Sequence, residues 1–289
     1  MEKVIGIKLV STILSMFLAI LFNFYLMHNS YRLKIKKSDI AVLFIWVILP
    51  PTFLLIFQGN FFISSILYLV LPSIYFSVRK PNVVLKALIV SLVAMPPMVI
   101  FDYLAFLNKA WAVPTIFSFR FFQFIPFEDF FFTFWAVYVV IVTSHYFFSS
   151  LKLNIINKIP ITKSGIILLS LFVLFLFFYL LKPEIFIIPY YYILLVLVAF
   201  IIPALILFIQ FKPYQKPLLW IVTYSICLML PYEITANILG FWTFPSSEYI
   251  GIIRILGQSF PIEEFLAWMI FFPLATLAFG KWVTDRANY

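Results

Sequence analysis

Long apolar runs separated by short polar segments make up almost the whole chain. Nine of these runs are long enough to cross a bilayer as helices. They lie at roughly 4–27, 39–57, 61–78, 83–107, 125–149, 164–181, 186–211, 218–240 and 262–280. The second and third runs are short, so together they could form one hairpin. The pattern predicts an all-α, polytopic membrane helical bundle of about 8–9 spans.

Composition supports a membrane protein and excludes several other classes. Of the 289 residues, 65% are hydrophobic and 11% are charged, more apolar surface than a soluble domain could bury. The first run is too long for a signal-peptide core and lacks a small-residue cleavage site. Cys227 is the single cysteine, so no intrachain disulfide is expected. The seven glycines form no dinucleotide or phosphate-loop pattern, and we expect no cofactor.

Net charge agrees with this class. The formal charge of +9 comes from basic residues in short loops between the apolar runs, which indicates membrane topology rather than a nucleic-acid partner. With nine crossings and an outer N-terminus, fourteen Lys and Arg residues lie on one side and six on the other. The more basic side is expected to be cytoplasmic, which predicts a multi-pass protein of the cell membrane in contact with its lipids.

The chain repeats itself at a spacing of 131 residues through W-x-x-P, the difference between positions 102 and 233. A loop four residues longer in the second copy raises the spacing of the P-x-E motifs to 135, the difference between positions 128 and 263. The shared pattern is an acid, eight residues, W-x-x-P, an arginine and P-x-E-[D/E]-F. The pattern predicts two parallel four-helix repeats related by a pseudo-two-fold axis along the membrane normal. The expected organisation is an extra helix and basic loop (1–38), a first repeat (39–149), a cytoplasmic linker (150–163) and a second repeat (164–289).

Six of the eleven acids belong to this repeat. They are Asp102, Glu128, Asp129, Glu233, Glu263 and Glu264. Proline followed by acids is also typical of an ordinary helix start. That interpretation does not explain Asp102 and Glu233, because a carboxylate within an apolar run costs about 2.5–3.5 kcal/mol. We therefore expect the six acids to be catalytic: adjacent carboxylates repel when both are ionised, which places a proton donor beside an acceptor.

Aromatic and basic residues surround the acids. Trp111, Trp242, Phe130 and Phe265 are candidate substrate-binding residues, since ring faces stabilise a carbocation. The tryptophans could equally lie at the membrane interface, and the phenylalanines could serve packing alone. Arg120 and Arg254 either tune the charge of neighbouring carboxylates or only flank the helices. The two histidines lack the spacing of metal ligands, and no metal site is predicted.

With these motifs, the chain resembles the membrane lycopene cyclases: the two-subunit type of actinobacteria, the fused form of archaea and the cyclase half of the fungal bifunctional enzymes. The resemblance spans roughly 39–280 and rests on the duplicated P-x-E-[D/E] motif, each preceded by an acid and W-x-x-P. Asp129 departs from it where a second Glu is common, and so does Asp102, where the second copy has Glu. The segment KAWAVP also differs from GFWTFP.

The resemblance implies a redox-neutral cyclisation of lycopene, taken from the bilayer, without a flavin. An acid protonates the terminal double bond, the internal alkene attacks the cation, and a base removes a proton. The donor and base would come from Glu128, Asp129, Glu263 and Glu264. The upstream acids would stabilise the cation or relay protons. Ring type (β or ε), carotenoid length and oligomeric state are not specified by these motifs.

Three alternatives belong to other classes. An intramembrane prenyltransferase needs spaced aspartates for a magnesium–diphosphate site, whereas Asp39, Asp102, Asp129 and Asp285 are isolated. A proton-coupled transporter suits parallel repeats and intramembrane acids, but no pair of Gly/Pro-broken helices is evident, and the acids cluster toward one face. The third alternative is a purely structural membrane protein.

Overall fold

The computed structural model describes residues 36–148 and 161–284. The first predicted run and most of the predicted linker therefore lie outside the described residues. We number eight helices and four short strands in chain order. The helices are α1 (Lys37–Phe57), α2 (Phe61–Arg79), α3 (Val84–Leu107), α4 (Phe127–Phe148), α5 (Ile161–Leu181), α6 (Tyr191–Gln210), α7 (Gln215–Leu239) and α8 (Ile262–Val283). The strands are β1 (Arg120–Phe121), β2 (Ile125–Pro126), β3 (Ile252–Ile255) and β4 (Gln258–Pro261).

The predicted helical membrane bundle is confirmed at this coarse level. Among the described residues, seven helices are long and apolar enough to cross a membrane. The eighth, α5, contains the apolar stretch Gly165–Leu181 and begins three residues before the predicted run. The two short runs are separate helices, α1 and α2, joined by three residues. The protein is therefore a multi-pass membrane protein.

Two small β-hairpins accompany the helices of the bundle. Strand β1 pairs antiparallel with β2, and β3 pairs with β4, each directly before the helix that carries a P-x-E motif. In the second hairpin, Leu256 and Gly257 both have positive φ, which closes the two-residue turn that matches strand twist. Strands of two to four residues carry no detectable apolar alternation, so the pattern of the sequence did not predict them.

The same series of elements occurs twice along the chain. A helix with a π-helical segment, Ile66–Val70 in α2 and Val196–Ile201 in α6, is followed by a 3₁₀ turn. A long helix (α3 or α7), a hairpin and a further helix (α4 or α8) follow in both places. Helix α8 contains a π-helical segment, Phe265–Phe271, that its counterpart α4 lacks.

Proline explains the irregular segment of α2. Pro72 has no N–H, so the Tyr68 carbonyl four residues earlier lacks its helical donor. The indole Nε1 of Trp46 in α1 donates to this carbonyl at 2.7 Å. Pro203 stands at the corresponding place after the π-helical segment of α6. Both helices continue through their π-helical segments.

Polar contacts tie the helices together at both ends of the bundle. At one end, buried Asp39 of α1 accepts hydrogen bonds from Tyr75 of α2 (2.9 Å) and Tyr146 of α4 (2.7 Å), and pairs with Arg79 (3.0 Å). At the other end, which we call the loop end, Ala112 and Thr243 exchange backbone hydrogen bonds, both of 2.9 Å. The loop end therefore joins the segments that follow α3 and α7.

Gly280 lets α8 approach α3 and α4 closely. A Cβ atom at this position would lie 2.7 Å from Cδ1 of Ile141 and 3.4 Å from Cγ1 of Val90. Gly165 in α5 is a matched control, because a Cβ atom there would meet nothing within 4 Å.

Gly280→Val is expected to destabilise the bundle by about 1–3 kcal/mol, because overpacking forces neighbouring side chains and backbone to shift. Thermal unfolding of the purified protein in detergent, followed by tryptophan fluorescence, measures the effect. Gly165→Val should leave the unfolding temperature near that of the wild type. Equal shifts in the two variants would contradict the close approach.

Candidate active site

A small cavity at the loop end collects acidic side chains from four helices. Its volume is about 60 Å³, and we call it the acid cavity. Four of the six predicted acids line it: Asp102 of α3, Asp129 of α4, Glu233 of α7 and Glu264 of α8. The last turns of α3 and α7 and the first turns of α4 and α8 lie at the same end of the bundle. The repeated acids thus come together although they are far apart in sequence.

Glu128 and Glu263 are turned away from this cavity and bind the loops. Oε1 of Glu128 accepts from the backbone N–H of Ile116 (2.5 Å) and of Phe117 (3.0 Å). Oε1 of Glu263 accepts from the N–H of Ile250 (2.7 Å), and both glutamates are fully buried. Successive helical residues point about 100° apart, so the two acids of each motif face different sides. The first acid holds the loop, and the second faces the cavity.

The upstream acids differ in their partners. Oε1 of Glu233 accepts hydrogen bonds from Nδ2 of Asn237 (2.6 Å) and Nε1 of Trp242 (3.1 Å). Oδ2 of Asp102 is buried and has no hydrogen-bond partner among the described residues. Phe106 occupies the place that corresponds to Asn237 and cannot donate a hydrogen bond. The two halves therefore present a bonded and an unbonded carboxylate to one cavity.

A tyrosine produces a second difference between the halves. The hydroxyl of Tyr192 donates to Oε2 of Glu264. Phe61, 131 residues earlier, occupies the corresponding place and has no hydroxyl. The counterpart of Glu264, Asp129, therefore receives no such bond. Neither Tyr192 nor Phe61 was predicted, although the register of the repeat aligns the two positions and could have identified them.

The predicted aromatic residues divide into two groups. Trp111 and Trp242 line the acid cavity. Phe130 packs against Phe121 with ring centroids 4.7 Å apart and ring planes tilted by 37°, and Phe265 packs in a separate apolar cluster with Phe260. Neither phenylalanine is among the residues that line the acid cavity in the described part of the chain. The other aromatic side chains of this cavity are Phe61, Phe132, Tyr192, Tyr232, Phe244 and Trp268.

The arginines bind or approach the loops. The guanidinium of Arg120 donates to the carbonyls of Phe124 (2.9 Å) and Val113 (3.1 Å), which braces the first hairpin. Arg254 lies exposed on β3. Among the described residues neither arginine forms an ion pair with a carboxylate, and their role in charge tuning stays a prediction.

Tyr249 fastens the second loop to the first. Its hydroxyl donates to the Ala110 carbonyl at 2.8 Å and accepts from the N–H of Ser246 at 3.1 Å. Partial burial raises the pKa of Tyr249 to about 12, so the hydroxyl keeps its proton at neutral pH. The loops of both halves are thereby fixed over the acid cavity.

A much larger apolar cavity adjoins the acid cavity. It has a volume of about 870 Å³ and lies among α3, α4, α5, α6 and α8; we call it the wide cavity. Asp102, Trp111 and Tyr192 line both cavities. An apolar molecule in the wide cavity would therefore meet a carboxyl group at its inner end.

Comparison of the chain with protein-family models, with curated proteins and with solved structures gives no match. Fold and site define a multi-pass helical membrane protein with buried carboxylates beside an apolar cavity. Within the described ranges, no group of three or more His, Cys, Asp and Glu side chains is placed to hold a metal ion.

Removing each loop-binding glutamate should loosen its own loop. Glu128→Ala is expected to speed amide exchange at Ile116 and Phe117 roughly tenfold, because a charge-assisted hydrogen bond is lost. Hydrogen exchange in detergent, read by mass spectrometry of loop peptides, measures this. Glu263→Ala serves as the reciprocal control and should affect the peptide around Ile250 instead. Equal exchange of both loops in both variants would contradict the assignment.

Proposed function

We propose that the protein is a membrane carotenoid cyclase that closes rings at the ends of lycopene by acid–base catalysis. The observation that carries the proposal is the meeting of four carboxylates in one aromatic cavity that shares lining residues with a large apolar cavity. Such a site suits an apolar substrate that is first protonated and then deprotonated. The membrane in question is expected to be the cell membrane.

We further propose that the chain consists of two parallel repeats around a pseudo-two-fold axis, with eight or nine spans. The exchange of backbone bonds between Ala112 and Thr243 supports this, because these residues are 131 apart and reciprocal contacts between equivalent residues are what a two-fold axis produces. Ring contacts are reciprocal too. Phe61 packs on Trp242 (5.5 Å), and their equivalents Tyr192 and Trp111 pack together (5.1 Å).

The wide cavity suits a long apolar molecule that arrives from the lipid. Its volume lies within the range of roughly 300–1,000 Å³ typical of small-molecule sites. Apart from Asp102 and a few hydroxyl or indole groups, its lining is aliphatic and aromatic. Leu171 and Leu174 of α5, which line it, remain about half exposed (52% and 51%). Substrate would reach the cavity along α5.

In the proposed reaction, the proton comes from Asp102, where the wide and acid cavities meet. It adds to the terminal double bond, the internal alkene attacks the resulting cation, and a carboxylate removes a proton. The product is an isomer of the substrate, so neither an oxidant nor a reductant is needed. Glu233 and Glu264, which already accept hydrogen bonds, are suited to stabilise the cation and to accept the proton.

The remaining residues take supporting roles in this proposal. The ring faces of Trp111 and Trp242 attract the cation. Asp129 is the further carboxylate of the acid cavity. Glu128 and Glu263 position the loops rather than the substrate, so they are positioning residues.

A proton-coupled transporter is the second candidate, favoured by the matched π-helical interruptions in α2 and α6. In transporters, paired interruptions expose backbone groups that bind the substrate or the coupling ion. Here the Tyr68 carbonyl beside Pro72 is occupied by the Trp46 indole. The interruptions therefore support the transporter less strongly than the cavities support the cyclase. No observation on the described residues favours the prenyltransferase alternative.

Expression in lycopene-accumulating bacteria tests the cyclase. The wild type should convert lycopene to cyclic carotenoids, resolved by chromatography. Glu264→Gln and Asp102→Asn should lower the cyclic product by about a hundredfold or more, because each removes a proton-transfer group.

Glu184→Gln is the matched control, since Glu184 is an exposed carboxylate outside the cavities and should leave the product unchanged. Glu128→Gln and Glu263→Gln are expected to cause smaller losses, since an amide oxygen can still accept from the loop N–H groups. Unchanged lycopene, with the wild type shown to be in the membrane, would refute the cyclase and favour the transporter.

A further inference from the structure

A third cavity of about 90 Å³ occupies the place in the bundle that corresponds to the wide cavity. We call it the narrow cavity. Residues of α3 line the wide cavity, and residues of α7 that lie 131 positions later line the narrow one. The equivalent pairs are Ala94 and Ser225, Pro97 and Leu228, and Met98 and Met229. The two cavities are therefore counterparts of very different size.

Bulky side chains account for the difference in size. Thr133 and Val137 of α4 line the wide cavity. The residues 135 positions later on α8, Trp268 and Phe272, line the narrow cavity and also reach the wide one from the opposite side. Small side chains thus stand on α4 where aromatic rings stand on α8.

Further aromatic side chains line the narrow cavity. The rings of Trp220 and Tyr224 on α7 stack at 5.6 Å, and Trp46 of α1 lies 6.0 Å from Tyr224. The residues of α3 that correspond to Trp220 and Tyr224, at the same spacing of 131 residues, are the aliphatic Ile89 and Val93. On α7, therefore, aromatic rings stand where α3 has smaller side chains.

The two cavities also differ in what they offer chemically. Asp102 and Tyr192 lie on the wall shared by the wide cavity and the acid cavity. The narrow cavity shares Phe132, Met229 and Trp268 with the acid cavity, and none of its described lining residues is a carboxylate. A chain lying in the narrow cavity would meet no acid, whereas a chain in the wide cavity would.

We propose that the apolar chain of the substrate binds in the wide cavity alone, and that the narrow cavity is a closed counterpart without a binding role. The inference rests on the proposed function and adds the path of the substrate to it. Ala94, Thr133, Val137 and Ala199 then determine substrate size, because larger side chains at these positions would fill the wide cavity. Both halves would then supply acids to the site, whereas only the wide cavity would serve as the substrate channel.

Two substitutions at equivalent positions test the inference. Ala94→Phe places a ring in the wide cavity, and Ser225→Phe places the same ring in the narrow cavity. In lycopene-accumulating cells, Ala94→Phe should lower the cyclic product at least about tenfold, while Ser225→Phe should stay within about twofold of the wild type. Thermal unfolding in detergent establishes that both variants are folded.

A binding measurement separates this inference from the proposed function. Purified protein in detergent is titrated with lycopene, and binding is followed by quenching of tryptophan fluorescence; Trp111 and Trp282 line the wide cavity and not the narrow one. Quenching lost in Ala94→Phe and kept in Ser225→Phe supports the single channel. Should Ala94→Phe not fold, Ala199→Leu in the same cavity takes its place in both assays.

The outcomes are distinct. Equal loss of product and binding in both variants, or equal retention in both, overturns the single channel and leaves the cyclase standing. A wild type that binds lycopene without cyclising it contradicts the proposed function alone, and the variants still test the channel by quenching. A wild type that neither binds nor cyclises lycopene overturns both.

Discussion

Burial of polar groups in an apolar bundle is the constraint on which this structure depends. A carboxylate removed from water needs hydrogen-bond donors, and three of the buried acids find them at the two ends of the bundle. At one end Asp39 is held by Tyr75, Tyr146 and Arg79. At the loop end, Glu128 and Glu263 take theirs from backbone N–H groups of the loops. The same requirement therefore fastens the helices together and folds the loops over the acid cavity.

The meeting of the two halves turns a duplicated motif into a single site. Ala112 and Thr243 join the segments that follow the upstream acids, so carboxylates more than a hundred residues apart line one cavity. Small differences between the halves then become chemical differences within that cavity. A hydroxyl is present on Tyr192 and absent from Phe61, and an amide is present on Asn237 and absent from Phe106. Two of the four acids thereby accept hydrogen bonds from side chains that have no counterpart donor in the other half, which suits the proposed acid–base sequence.

The wide and narrow cavities also differ because matched positions in the two halves carry different side chains. Aromatic side chains on α7 and α8, at positions where α3 and α4 carry smaller ones, accompany the difference between an 870 Å³ cavity and its 90 Å³ counterpart. Close packing leaves little free volume in a helical bundle, so larger side chains at matched positions leave a smaller cavity. In the proposed cyclase, the repeat supplies the acids and its departures from symmetry supply the substrate path.

The sequence by itself determined the eight described helices and the six repeated acids. Apolar run length sets a span directly, and the motif recurs at a fixed spacing. It did not reveal that Glu128 and Glu263 bind loops while Asp129 and Glu264 face the cavity, or that Tyr192 belongs to the site and Phe130 lies outside its lining. The hairpins and π-helical segments were missed as well. Which acid of each motif faces the cavity depends on the rotation of each helix against its neighbours, and that rotation is set by contacts between distant segments, which only the tertiary structure decides.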